Sequence, residues 1–452
     1  MLTSQPDDEP ADPDLQTKLA TQLQERTRMT DTTLSFVADS DSETFPEELT
    51  RDMIEAGLTR ASGLEAELDD PDLEDGKEIS PFDPTKINIE TRPMTVGQFM
   101  NRIRDFEDSN GEEGINLRPD FQRMGGIWND EAQSRLIESM MIRIPLPAFY
   151  MNEDAEKADL WVVIDGLQRL TAMRRFIIDK SLRLKRLEFW KEYEGKTFDE
   201  LPRLLQRRLE ETQVVVYLVK KGTPHNVKFN IFKRINTGGV PLSGQEIRHA
   251  LNLGASTKLL EELAKSEAFQ EATSRGVSHL RMADRECVLR YLSFMHKDEA
   301  LRQPPYEMRD YSDYTSRDEL DAFLNEQMRQ LNLMGQRDAA RLDEIRQRFN
   351  RAMIAAREIF DNRAFRKPND SGRRSPVSKA LFEVWAVNLD RCSDDEIEVL
   401  IGRSDTLENK FQELMDDTEF VIAISYSTGD PRRVKYRFEK IREIIEETLA
   451  DV

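Results

Sequence analysis

A short apolar run that stops at an Asp-Gly step and restarts as an amphipathic helix leaves a chain few ways to fold. Trp161, Val162, Val163 and Ile164 form such a run, as expected of a strand buried on both faces. Leu170, Met173 and Ile177 then recur at helical spacing, so the segment after Gly166 reads as an amphipathic helix. A strand that turns sharply on Gly into a helix points several backbone N–H groups at one spot. That spot carries partial positive charge and suits an anion such as phosphate. Arg169 adds a planar positive fork in the first turn, and Asp165 is placed to hold a metal ion or orient a water. The plainer alternative is local: Asp165 is an N-cap accepting from the N–H of Gln168, and Arg169 is solvated surface.

At about 150 residues per domain, 452 residues predict two or three domains. Two cysteines, Cys287 and Cys392, offer no disulfide framework. No apolar run approaches the roughly 20 residues that span a bilayer. The N-terminus lacks the basic and apolar regions of a signal peptide, so the expectation is a cytoplasmic protein with no membrane partner. The net charge of -21 is uneven: residues 1–80 carry 22 Asp/Glu against 6 Lys/Arg, the remainder 64 against 59. The acidic balance therefore belongs mostly to the tail and does not exclude nucleic acid as a partner of the body.

Residues 1–80 are poor in aromatics and rich in Asp, Glu, Ser, Thr and Pro, and read as a mostly disordered acidic tail with short helices at 15–28 and 46–60. A functional alternative is an acidic decoy covering a basic groove. From residue 81 to 253 short strands alternate with helices. Lys86–Glu90 reads as an edge strand, Thr95 as the cap of a helix to Glu107, Ile115 onward as a strand entering a Gly-rich loop, and Asn129 as the start of a helix to Arg143. Phe149–Met151, Leu182–Leu187 and Gln213–Val219 read as further strands, and Phe198–Thr212 and His225–Arg234 as helices. Ser243 with Glu246 forms a capping box for Gly244–Leu253. Residues 254–452 read as a helical domain with stripes at about 256–270, 282–296, 317–332, 338–361, 376–389, 393–402 and 431–449, and one strand-like run at Phe420–Ile424. The fold class is α+β: a two-layer α/β N-terminal domain followed by an all-α domain.

No phosphate-binding Gly-x-x-x-x-Gly-Lys-Ser/Thr loop and no Gly-x-Gly-x-x-Gly step is present. The four histidines lack zinc spacing. Arg363 to Lys379 is a basic stretch in which Arg366, Lys367, Arg373 and Arg374 are candidates for gripping DNA phosphates; the alternative is a solvated loop past a helix C-terminus.

Three segments together resemble one family. Asp165-Gly166-Leu167-Gln168-Arg169-Leu170-Thr171, the upstream Gln122-Arg123 followed by Trp128, and Phe232-Lys233-Arg234-Ile235-Asn236-Thr237-Gly238-Gly239 are similar to the signature of the N-terminal half of GmrSD-type modification-dependent restriction enzymes. Leu167 stands where the family has Gln. The resemblance implies a ParB/sulfiredoxin-like fold and binding, with hydrolysis, of a nucleoside triphosphate with Mg2+. It implies Asp165 and Arg169 as catalytic residues, Asp165 also as the metal ligand, and Gln122, Arg123, Gly166, Gln168, Thr171, Arg234 and Asn236 around the phosphates. DNA is the expected target. The His-Asn-His nuclease half of those enzymes is not found in the sequence, so a separate nuclease or other defence-system protein is the expected partner. A homo-oligomer is left open. Two alternatives stand beside this NTPase reading: a non-enzymatic nucleotide- or DNA-sensing adaptor, and a nuclease in its own right.

Overall fold

Five short strands build one mixed sheet in the computed structural model, which describes residues 61–67, 87–117, 128–154, 157, 159–235, 242–295, 310–314, 320–368 and 374–450. β1 (Ile89–Thr95) runs into α1 (Val96–Asp108) through a capping box. The Thr95 hydroxyl accepts from the Gln98 N–H, and the Gln98 side chain accepts from the Thr95 N–H. β2 (Gly114–Asn116) precedes α2 (Asp130–Met141), which is capped by Asn129. β3 (Phe149–Glu153), β4 (Leu160–Asp165), α3 (Leu167–Ile177), α4 (Arg203–Glu210) and β5 (Gln213–Val219) follow. The sheet order is β1-β5-β3-β4-β2. β1 and β5 are antiparallel, β5 and β3 parallel, β3 and β4 antiparallel, and β4 and β2 parallel.

Both faces of this sheet are covered, as the unbroken apolar run of β4 requires. On one face Phe149, Trp161, Val163 and Val216 pack against α1, α2, α3 and α4 through residues such as Phe99, Ile137, Phe176 and Leu209. On the other, Ile164 and Val219 pack against α5 (His225–Ile235) and α6 (Gly244–Leu251) through Phe232 and Ile247. A third, larger apolar cluster joins α7 (Ala255–Lys265), α8 (Glu267–Ala272), α9 (Ala283–Phe294), α10 (Leu320–Arg337) and α11 (Ala339–Phe360) to the last five helices. These are α12 (Lys379–Arg391), α13 (Asp394–Gly402), α14 (Ser404–Leu414), α15 (Thr418–Ser425) and α16 (Pro431–Ala450).

Several expectations are corrected here. Leu182–Leu187 is not a strand: Leu182, Leu184 and Leu187 are buried, but the segment is irregular. Its continuation is held by one carboxylate, since Glu138 accepts the backbone N–H groups of Glu188, Phe189 and Trp190. Burial pushes the Glu138 carboxyl up, but those three donors more than offset it and leave it below its ordinary value. Phe198–Thr212 breaks at Pro202, which holds Leu201 extended, so only Arg203–Glu210 is α-helical after a single 3-10 turn at Phe198–Glu200. Phe420–Ile424 lies in helix α15. Asp417 caps it by accepting from Glu419 and Phe420, and Phe420, Ala423 and Ile424 face inward at helical spacing.

The acidic tail, expected to run disordered to residue 80, includes a short piece that is packed; its other residues, and the short helices expected at 15–28 and 46–60, lie outside the described residues. Leu64 is buried in the helical cluster and bridges to Val377. Glu65 pairs with Lys367 at 2.7 Å. Glu67 pairs with Arg290 at 2.8 Å and Lys379 at 2.7 Å, and accepts from the Thr428 hydroxyl. Arg290 also faces Glu286 and Glu383, and Glu383 is paired with the fully buried Arg437. Three carboxylates and three cations thus neutralise one another, with part-exposed Glu67 closing the network from the surface, which is what keeps the buried charge of Arg290 and Arg437 tolerable.

Burial pushes the Glu67 carboxyl up, but Arg290 and Lys379 outweigh it and the net direction is strongly down. A depressed folded pKa means this contribution is complete above the ordinary value of 4.5 and is lost as the pH falls below it. Glu67→Gln should therefore lower stability by about 1 kcal/mol in urea denaturation at neutral pH. The gap to wild type should narrow as the pH drops below 4.5.

Candidate functional site

The site expected from the sequence lies where β4 ends and α3 begins. Gly166 occupies the N-cap with φ +98°, a left-handed conformation that favours glycine, and a Cβ there would collide with the Phe149 ring. No side chain caps α3, so the plain reading of Asp165 as its N-cap does not hold. Asp165 instead accepts from the Arg169 guanidinium at 2.8 Å, and about a third of its side chain is exposed. The helix therefore presents its first turn with an adjacent carboxylate and without a competing cap.

Arg169 points the other way. Only 9 % exposed, it donates to the carbonyls of Pro147 and Ala148 as well as to Asp165. Its guanidinium stacks over the Phe149 ring, 4.4 Å from the centroid. Burial pulls the guanidinium below its ordinary value, with Asp165 opposing the shift. Arg169, expected to grip phosphate, here spends its forked donors on the loop entering β3 and on Asp165. It positions Asp165 and closes the turn.

Gln168 is half-buried, and its side-chain oxygen accepts from the Trp128 N–H at 3.2 Å. This bond ties the end of the upstream signature segment to the start of α3. Leu167 is buried among the residues under the sheet, and Thr171 is half-buried one turn further along. Arg234 is exposed in the last turn of α5. Phe232, two residues earlier, shares an apolar cluster with Ile164 and with Tyr150 at its edge. Gln122, Arg123, Asn236 and Arg373 lie outside the described residues.

Two features went unread in the sequence. Tyr150 sits opposite Asp165 in the β3–β4 register and stacks on Tyr217, with ring centroids 5.0 Å apart. Burial raises the Tyr150 phenol, with Tyr217 and Asp165 adding to it. The aromatic at position 150 is visible in the sequence, but its register with Asp165 is not. Lys228 of α5 is buried and donates to the Asn152 side chain at 2.7 Å, and burial holds its ammonium below the ordinary value. A cleft of about 590 Å3 lies at the other end of β4, where Arg92 and Arg102 cover Trp161; no signature residue lines it.

Of the basic candidates in the helical region, Arg366 is buried on backbone carbonyls and Lys367 is bound to Glu65 and Ser425; Arg374 is exposed. Among the described residues no group of three or more His, Cys, Asp and Glu side chains is arranged to hold a metal, and no helix is long and apolar enough to cross a membrane.

The brace has a direct consequence. Arg169→Ala should cost about 3 kcal/mol of stability, read as a lower Tm, because two carbonyls and a carboxylate lose their shared donor. Arg169→Lys should not restore it, since a point charge cannot reach all three. An unchanged Tm with lost nucleotide affinity would return Arg169 to the role of phosphate ligand.

Residues 103–253 match the family described as GmrSD restriction endonuclease, N-terminal domain. No curated protein and no solved structure matches the chain.

Proposed function

We propose, from a chain whose residues 103–253 form a GmrSD-type N-terminal domain, that the protein is the nucleotide-dependent component of a DNA restriction or anti-phage defence system. In this reading it binds a nucleoside triphosphate at the β4–α3 junction, hydrolyses it, and acts with a separate nuclease. The mixed sheet covered by helices supports a ParB/sulfiredoxin-like arrangement for this domain. The observation that carries the nucleotide reading is the uncapped first turn of α3 beside a part-exposed Asp165. Backbone N–H groups of that turn would take phosphate oxygens, helped by the helix dipole. The Tyr150–Tyr217 stack beside Asp165 offers an aromatic wall to a base. Gln168 would hold Trp128, the end of the upstream signature segment, at the site; Gln122, Arg123, Arg234 and Asn236 are the further phosphate-binding candidates.

One carboxylate suits Mg2+, which usually takes one or two carboxylates and completes its shell with phosphate oxygens and waters. Asp165 is the residue that would hold it, and the ion would supply charge neutralisation at the phosphates. Arg169 fixes the Asp165 carboxylate in place by its 2.8 Å ion pair.

A second reading, a nucleotide-sensing adaptor without turnover, is favoured by the inward direction of Arg169, which removes one cation from the phosphates. Incubation with each of the four nucleoside triphosphates and Mg2+, measuring nucleotide binding and phosphate release, separates the two. Asp165→Asn keeps a hydrogen-bond acceptor for Arg169 and should reduce phosphate release about 100-fold while leaving nucleotide affinity within a few-fold. Wild-type binding without release would establish the adaptor. Absence of both would overturn the nucleotide reading.

A further inference from the structure

A cluster of arginines in the helical region is charged beyond its local neutralisation. The turn Thr273–Gly276 follows α8 and holds two consecutive left-handed residues, Ser274 at φ 52° and Arg275 at φ 53°. Two carboxylates, Glu271 and Asp361, and three arginines, Arg275, Arg357 and Arg374, line a cleft of about 290 Å3 there, with Ser274 and Asn362. Asp361, at the end of α11, is also left-handed, at φ 50°. Three strained positions around one opening are costly unless the shape they impose is used.

The charges are unequal. Arg275 is shared between Glu267 at 2.6 Å and Glu271 at 3.0 Å, and Arg357 pairs with Asp361 at 2.9 Å. Arg357 also donates to the Ser274 hydroxyl at 3.4 Å. Arg366 lies beneath the same turn. It is 7 % exposed, it donates to the carbonyls of Thr273 and Ser375, and its Nε has no hydrogen-bond partner. Among the described residues no carboxylate acts on it; the one charge that does is Arg374, and burial together with that repulsion pushes the guanidinium down to about 10. Arg374 is exposed and makes no ion pair or hydrogen bond with the described residues. A buried cation next to a second unpaired cation is the reverse of the rule that buried charges are neutralised. An anion entering the cleft supplies the missing counter-charge.

We infer that this cleft binds phosphate, and that the phosphate belongs to the backbone of DNA, with Arg374 touching it and Arg366 beneath as the buried charge that favours it. Guanidinium forks suit phosphate oxygens, and contacts of this kind carry no sequence preference. The DNA source rests on the restriction reading above; the phosphate chemistry does not.

The test uses the full chain and a fluorescein-labelled duplex, read by anisotropy over a series of salt concentrations. Arg374→Ala should weaken binding about tenfold at low salt and lower the slope of log K against log salt by about 0.9, the value for one phosphate contact. Arg374→Glu should weaken it further. Arg374 has no partner among the described residues, so its variants should keep the wild-type Tm, and their nucleoside-triphosphate turnover should be unchanged. Duplex affinity and slope equal to wild type in both variants would overturn the site. If wild type binds no duplex but is thermally stabilised by inorganic phosphate in an Arg374-dependent way, the DNA source is overturned and a small phosphate ligand replaces it. Failure of Asp165→Asn to affect phosphate release leaves this test intact, because the two sites share no residue.

Discussion

The Arg169 guanidinium is the point on which the first domain turns. It ties the Pro147–Ala148 entry to β3, the end of β4 and the start of α3 into one unit, and lies flat on Phe149 while doing so. Each neighbour follows from it. Gly166 is required because a Cβ would strike the same phenyl ring, and Asp165 is drawn away from capping the helix because it is paired to the arginine. The helix N-terminus is left uncapped as a result. In water an i,i+4 pair of this kind contributes little; here one partner is buried, and removing either leaves charge or carbonyls without a donor.

The chain treats its other buried charges in two contrasting ways. Around Arg290, acidic and basic groups match, and the segment 61–67 contributes Glu67 to that balance. Part of the acidic tail is thus an internal counter-ion for the helical region. Around Arg366 the described residues offer no such match, although Lys367, the next residue, is neutralised by Glu65. Two adjacent cations on one segment therefore have different fates. One is structural, and the other keeps a local excess of positive charge under an open cleft.

Much of the fold was legible in the sequence because caps and periodicity are local. Thr95, Asn129, and Ser243 with Glu246 mark helix starts that the structure places at the same residues, and Gln213–Val219 is a strand with those bounds. The misreadings share a cause. Leu182–Leu187 and Phe420–Ile424 are short apolar runs whose burial is real, but a run of six or fewer residues does not declare its backbone partner. Glu138 supplies that partner to the chain just after the first run, and the Asp417 cap decides the second. At the candidate site, residue types were legible and directions were not. Nothing local to position 169 states that its carbonyl acceptors, on Pro147 and Ala148, lie 22 and 21 positions upstream.

The departure at Leu167 looks different once its direction is known. A polar residue at that position in the family signature suggests a lost contact at the anion site. Here the Leu167 side chain is 6 % exposed and packs with Phe149 and Leu170 in the cluster under the sheet. A leucine gains from that burial, whereas an amide would need a hydrogen-bond partner there. What position 167 offers an anion is its backbone N–H at the start of α3, and that group is the same for either residue. The substitution therefore changes the packing beneath the junction while leaving the backbone at the start of α3 unchanged.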